Sequence, residues 1–214
     1  MTVKEMVKIT LNLVVIYLIG GLILAVVYGI TSPIKFQKEK AELEAALLTM
    51  MPDADRIEEL GKWEPHHKHA KYYVGQKCAE LKLKMVTDPK TEEEKEEKEC
   101  IGPEDTGYIV ESYGKGYSSY IHILTSVDKN FVLKKIKIQG HGETPGLGDE
   151  IEKDYFLDQF AGKSSDKLVV IKGETEDKIQ AITGATISSR GVTEDGVRKG
   201  VEMLEEKLSK GVEE

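Results

Sequence analysis

The chain has 214 residues, a formal net charge of −8, 40% hydrophobic content and two cysteines. That length leaves room for one membrane anchor and one globular domain with a sizeable core. The acidic balance, with no basic block, excludes a nucleic-acid binder, which must replace counterions along phosphates. No repeat with a period of about 20 to 50 residues is visible.

From Ile9 to Ile34 no residue is charged. As a helix this stretch measures roughly 39 Å at about 1.5 Å per residue, against a hydrocarbon core of about 30 Å. A retained single span is expected, because the run exceeds a signal-peptide core and no clear small-x-small cleavage site precedes Pro33. Tyr28 suits the far interface. Lys4 and Lys8 on one side, and Lys35, Lys38 and Lys40 on the other, leave orientation undecided by charge. Residues 1–34 thus form the N-terminus and anchor. Residues 35–52, rich in helix formers and stopped by Pro52, form a helical stalk, and residues 53–214 form the domain.

Trp63 to His69 gathers three of the five histidines. No companion set has ligand spacing, and adjacent side chains cannot all converge on one ion, so a solvated loop is expected. Thr91 to Glu99 carries Glu–Lys pairs at three- and four-residue spacing without an apolar face. It reads as an exposed helix or a disordered loop. Cys78 and Cys100 bracket this charged insert, about 78–100. A disulfide across it would contribute on the order of 3 kcal/mol and would suit an oxidising compartment. Two unpaired thiols are the alternative.

From Gly107 the pattern turns β-rich. Tyr108-Ile109-Val110, Tyr120 to Val127 and Phe131 to Gln139, joined by Gly114-Lys115-Gly116-Tyr117 and Asp128-Lys129-Asn130, predict a half-buried antiparallel meander. Gly140 to Asp149 then packs four glycines and a proline into ten residues. Such a loop lets backbone N–H groups approach a ligand, although its composition also describes a double turn. His141 within it is placed either to bond a ligand or to face solvent. Tyr155 to Phe160 predicts a short amphipathic helix ended by Gly162, and Leu168 to Ile171 a buried strand.

Ile179 to Ile182 leads into the turn Thr183-Gly184-Ala185-Thr186, followed by the N-cap candidates Ser188 and Ser189. Val197, Val201, Leu204 and Leu208 then trace one face of a helix. A junction of this type presents hydroxyls beside free N–H groups and the electropositive helix start, where an anion such as phosphate is favoured. Small polar residues are also ordinary turn formers. No nucleophile elbow, Walker loop or dinucleotide fingerprint competes for the chemistry. The carboxylates sit in runs rather than in apolar settings.

Thr183-Gly184-Ala185-Thr186, with Ser188-Ser189 behind it, resembles the flavin-attachment motif of the FMN-binding domain family. Glu143-Thr144-Pro145-Gly146-Leu147-Gly148 resembles that family's second signature, about 40 residues upstream. Ala45-Ala46-Leu47-Leu48 and Met51-Pro52 resemble the start of its domain. The family usually has an acidic residue three positions before the first Ser/Thr; here that position is Gln180. The resemblance implies an α+β fold, an antiparallel sheet flanked by helices, behind a single transmembrane helix. It further implies FMN joined to Thr186 by a phosphoester made by a separate flavin transferase from FAD with magnesium. Thr183, Gly184, Ala185 and Ser188 would cradle the phosphate, and Glu143, Thr144, Pro145, Gly146, Leu147 and Gly148 would shape the flavin pocket. No metal site is implied in the chain itself.

The family includes the G subunit of the Rnf complex and the C subunit of the sodium-pumping NADH:quinone reductase. The short chain favours the former. That implies an electron-carrying subunit of the inner or plasma membrane, with a cytoplasmic N-terminus and the large domain outside. Its partners would be the bilayer and the other membrane and peripheral subunits of a complex. Such a complex passes electrons between ferredoxin and NAD, coupled to sodium or proton translocation. A flavin-carrying domain of another membrane redox chain, or an assembly subunit without flavin, are the other readings.

Overall fold

A computed structural model describes residues 3–87 and 94–210, in two compact units that divide after Ala46. Helix α1 (Val3–Met50) supplies the first unit and runs on into the second. Its apolar side chains from Ile9 to Ile30 stand exposed rather than packed on a core, as a helix facing lipid requires. Among the described residues it is the one helix long and apolar enough to cross a membrane. The stalk segment adds one-turn ion pairs, Lys38–Glu42 at 3.6 Å and Lys40–Glu44 at 3.7 Å.

The second unit is α+β. Five antiparallel strands lie side by side in chain order: β1 (Arg56–Trp63), β2 (Ala70–Thr87), β3 (Glu94–Lys115), β4 (Tyr120–Val127) and β5 (Leu133–Gly140). The last three are the meander expected from alternation. Phe131 does not open β5 but sits in the preceding turn at φ 59°. There the Asp128 carboxylate accepts the N–H groups of Asn130 and Val132 at 2.8 and 2.9 Å.

Beyond the sheet, β2 and β3 continue as a two-stranded ribbon. The charge run is therefore strand from Glu94 to Glu99, not helix or disordered loop; Thr91 to Glu93 lie outside the described residues. The ribbon's register sets Lys82 opposite Glu99 and Lys84 opposite Glu97. Cys78 and Cys100 are joined by a disulfide with their Cα atoms 5.3 Å apart.

The histidine segment is not a solvated loop throughout. Pro65–His67 is a 3-10 turn with positive φ at His66 and His67, and His66 Nε2 lies 2.8 Å from the Asp195 carboxylate. No cluster among the described residues could hold a metal ion.

Helix α2 (Asp154–Leu157) and the 3-10 turn Asp158–Phe160 stop before Gly162, whose φ is 76°. The strand expected over Leu168 to Ile171 is confined to β6 (Val170–Ile171), which pairs in parallel with β7 (Ile179–Gln180). The chain then enters α3 (Thr186–Arg190), a wide π-helical stretch (Gly191–Arg198) and α4 (Lys199–Lys210). Val197, Val201 and Leu204 are fully buried in a core with Val110, Ile121, Ile123, Phe156 and Phe160. Full burial of such side chains contributes roughly 1.5–3 kcal/mol each.

The expected N-caps are corrected. Ser188 and Ser189 lie inside the first turn of α3, not ahead of it. The Ser189 hydroxyl donates to the Ala185 carbonyl and accepts the Ile182 N–H, both at 3.0 Å.

The π-helical stretch rests directly on the end of β3. A Cβ on Gly114 would overlap the Gly191 carbonyl oxygen, and one on Gly191 would come 2.5 Å from the Lys115 carbonyl oxygen. Strand and helix thus meet backbone to backbone, which fixes the point where α3 passes into the π-helical stretch. Gly114→Ala is expected to cost about 2–3 kcal/mol through this overlap, lowering Tm by roughly 4–12 °C. Gly140→Ala, where an added Cβ meets nothing within 4 Å, should stay within about 0.5 kcal/mol. Thermal unfolding of the two full-length variants in detergent checks the contrast.

Candidate functional site

Two turns and the start of α3 enclose a cleft of about 630 Å³. In the first turn, the Thr144 carbonyl accepts the N–H groups of Leu147 and Gly148 at 3.2 and 3.0 Å, with Gly146 at φ 73°. In the second, the Ala185 N–H donates to the Ile182 carbonyl at 3.0 Å, with Gly184 at φ 82°. That backbone position favours glycine. The turns touch, since a Cβ on Gly184 would lie 3.1 Å from Leu147 Cδ2.

Glu143 ties the site together. Its side chain is buried, and its carboxylate accepts the N–H groups of Tyr117, Ser118 and Ser119 at 3.0, 3.0 and 3.1 Å. The Ser188 hydroxyl donates the fourth bond, at 2.5 Å. Gly116 and Gly148 give the carboxylate room: a Cβ on Gly116 would stand 2.5 Å from Oε1, and one on Gly148 2.9 Å from Oε2. Burial pushes the Glu143 pKa up. The bonds from Ser188 and the three backbone N–H groups outweigh it and hold the carboxyl below its ordinary value.

Of the residues singled out from sequence, Thr186, Gly184, Ala185, Ser188, Glu143, Thr144, Leu147 and Gly148 line this cleft. Pro145 and Gly146 form the exposed tip of the first turn and do not line it. Thr183 opens instead on a second cavity of about 550 Å³, together with Gln180, Tyr155 and Gln159. His141 is in neither cavity. Its Nδ1 accepts the Glu143 N–H at 3.0 Å, and its Nε2 lies 3.0 Å from the Glu152 carboxylate.

Three lining residues were not singled out from sequence: Tyr117, Lys172 and Ile187. Tyr117 follows the glycine pair of the β3–β4 connection, which was the available signal. Nothing near Lys172 in the sequence marks it. Tyr117, Leu147 and Ile187 are 72%, 47% and 54% exposed, so the cleft presents aromatic and aliphatic side chains left uncovered by the fold.

Residues 116–202 match the FMN-binding domain family. The chain is also 34% identical over 198 residues to the G subunit of the proton-translocating ferredoxin:NAD(+) oxidoreductase complex of Clostridium ljungdahlii. That alignment covers 92% of this chain and 90% of the relative. The chain belongs to this family of G subunits. The C subunit of the Na(+)-translocating NADH-quinone reductase of Vibrio alginolyticus is 35% identical over 96 residues, covering 39% of this chain and 37% of that protein. The solved structure of the corresponding C subunit from Parabacteroides distasonis aligns with a TM-score of 0.41 at 24% identity, covering 61% of this chain and 59% of that one.

The cleft of this G subunit suits FMN on its own chemistry. Its volume lies in the range of about 300–1,000 Å³ typical of ligand pockets. Tyr117, Leu147 and Ile187 offer apolar surface for a flat ring system, and Lys172 and the Thr186 hydroxyl offer polar partners for an anionic group.

Glu143→Gln tests the clip. A carboxyl whose pKa is depressed in the fold contributes stability above its unfolded pKa and loses it as pH falls through the folded one. At pH 7 the variant is expected to be less stable by about 2–3 kcal/mol, since charge-assisted bonds are lost and the amide brings its own donors. The difference should shrink below the ordinary glutamate value of 4.5. Urea unfolding of both proteins at neutral and acid pH reads it.

Proposed function

We propose that Thr186 carries FMN covalently, through a phosphoester on its Oγ, and that the chain serves as the flavin-bearing electron relay of an ion-translocating ferredoxin:NAD(+) oxidoreductase. The observation that carries this reading is the position of Thr186, the first residue of α3, on the wall of the cleft edged by Tyr117, Leu147 and Ile187. FMN, when bound, supplies the electron-accepting and electron-donating chemistry. The chain's own residues do the holding. Gly184 sets the turn that delivers the Thr186 hydroxyl, and Ala185 and the first turn of α3 surround the attachment point. Lys172 supplies positive charge on the same cleft. Glu143 acts through structure, fixing the turn that carries Tyr117 to the helix segment that carries Thr186.

Attachment is assigned to a separate flavin transferase, on the resemblance of Thr183-Gly184-Ala185-Thr186 to the family's flavin-attachment motif. The Gln180 and Thr183 side of the turn stays clear of the cleft and is available to such an enzyme. On this reading residues 1–34 are the cytoplasmic N-terminus and the span in the inner or plasma membrane, 35–52 are the stalk and 53–214 the domain outside; the length and apolarity of α1 support the span. The Cys78–Cys100 disulfide supports that side, because such bridges persist in oxidising compartments. Partners are the other membrane and peripheral subunits, with sodium or protons as the translocated ion. The G-subunit reading is favoured over the C-subunit one by coverage, 90% of the first relative against 37% of the second.

The full-length chain co-expressed with a flavin transferase is expected to fluoresce as a denatured gel band and to gain the mass of one FMN less water. Thr186→Ala should abolish both signals at unchanged expression. Flavin retained by Thr186→Ala would overturn the assignment.

A further inference from the structure

A third cavity, an open groove of about 460 Å³, shares Ile187 with the cleft. Four cations line it: Lys115 from the end of β3, Arg190 from α3, and Arg198 and Lys199 from the helix that follows. Two carboxylates share the lining, Glu194 and Asp195, and both are committed inward. Glu194 accepts the Val170 N–H at 2.9 Å. Asp195 accepts the Lys115 N–H at 2.8 Å and pairs with Lys199 and His66. Lys115 and Arg190 are exposed and make no side-chain hydrogen bond or ion pair among the described residues. Arg198 pairs with Glu202 at 3.8 Å, so among the described residues Lys115 and Arg190 are the cations that leave unpaired positive charge, on a chain of net charge −8, beside the wall of its proposed cofactor cleft.

We propose that this groove is the docking site for a carboxylate-rich face of a partner protein within the complex. The site nowhere resembles a small-anion pocket, because its cations come from the rim of an open groove rather than converging on one buried point. Charge of one sign on an otherwise oppositely charged surface orients an incoming protein and rejects other approaches. The consequence for electron relay rests on the reading of the neighbouring cleft as the flavin site: a partner seated on Lys115 and Arg190 would bring its own surface against Ile187, the shared wall.

The test uses the assembled complex in its membranes, treated with a zero-length carbodiimide that joins amines to carboxylates in contact. Lys115 and Lys199 are expected to form amide cross-links to Asp or Glu of another subunit, and these should fade at about 0.3 M salt, where the screening length has shortened. The double variant Lys115→Glu, Arg190→Glu should lose the cross-link to Lys199 and lower electron transfer through the complex by about tenfold or more, with flavin fluorescence unchanged. No cross-link to another protein of the complex at either lysine, together with wild-type electron transfer in the double variant, would overturn the proposal. So would salt-sensitive binding of the isolated full-length chain to phosphatidylglycerol vesicles that the double variant abolishes, since lipid would then be the occupant. A cross-link in a protein lacking covalent flavin would leave the docking site standing and remove only its link to the cleft.

Discussion

A buried carboxylate must find donors, and the Glu143 carboxylate finds four. An uncompensated charge in that position would cost several kcal/mol, so the fold around it has little freedom. Three of the donors are consecutive N–H groups of the β3–β4 connection, and the fourth is a hydroxyl in the first turn of α3. Segments 117–119 and 188 are far apart in sequence and held by one side chain. Between them they carry Tyr117 and Thr186 to the same cleft. The glycines at 116 and 148 belong to the same constraint, because a Cβ at either would crowd the carboxylate.

The second fixed point is the backbone contact of Gly114 with Gly191. Side-chain packing tolerates adjustment by rotamer changes, whereas two main chains at this distance do not. The helix is locally widened where it lies on β3, as π-helical turns often are near functional positions. Together, the carboxylate clip and the glycine contact hold α3 in its first turn and just past its last residue. A site that must keep a cofactor in one orientation is best built on elements fixed in this way.

Much of this was legible from residue order. The uncharged stretch from Ile9 announces itself by length and apolarity, while the alternation of β4 and β5 and the stripe of Val197, Val201 and Leu204 encode burial through a simple period. The positions of β1 and the β2–β3 ribbon were not read: β1 has no strict alternation, and the alternation Leu81-Lys82-Leu83-Lys84-Met85 runs into a charge run without an apolar face. Ser188 and Ser189 were misplaced as caps for a related reason. Their residue type suits a cap, but a cap and a buried hydroxyl bonded to Glu143 or Ala185 differ only in tertiary partners. Lys172 faces the cleft through chain topology alone. Thr183 and Thr186 lie within one short motif yet open on different cavities, because the turn at Gly184 reverses the chain between them.

The openness of the cleft gives the proposed covalent bond a physical reason. Pockets that hold a cofactor by contact alone usually enclose about 70–90% of its surface. Here the apolar walls are side chains that remain about half exposed or more: Tyr117 at 72%, Ile187 at 54% and Leu147 at 47%. An open site lets a redox partner approach the ring closely, but it gives up the buried area that sustains affinity. The proposed bond to Thr186 Oγ would remove that conflict, since retention would no longer depend on enclosure. The cleft can then be shaped for access, with Glu143 supplying the rigidity that a closed pocket would otherwise provide.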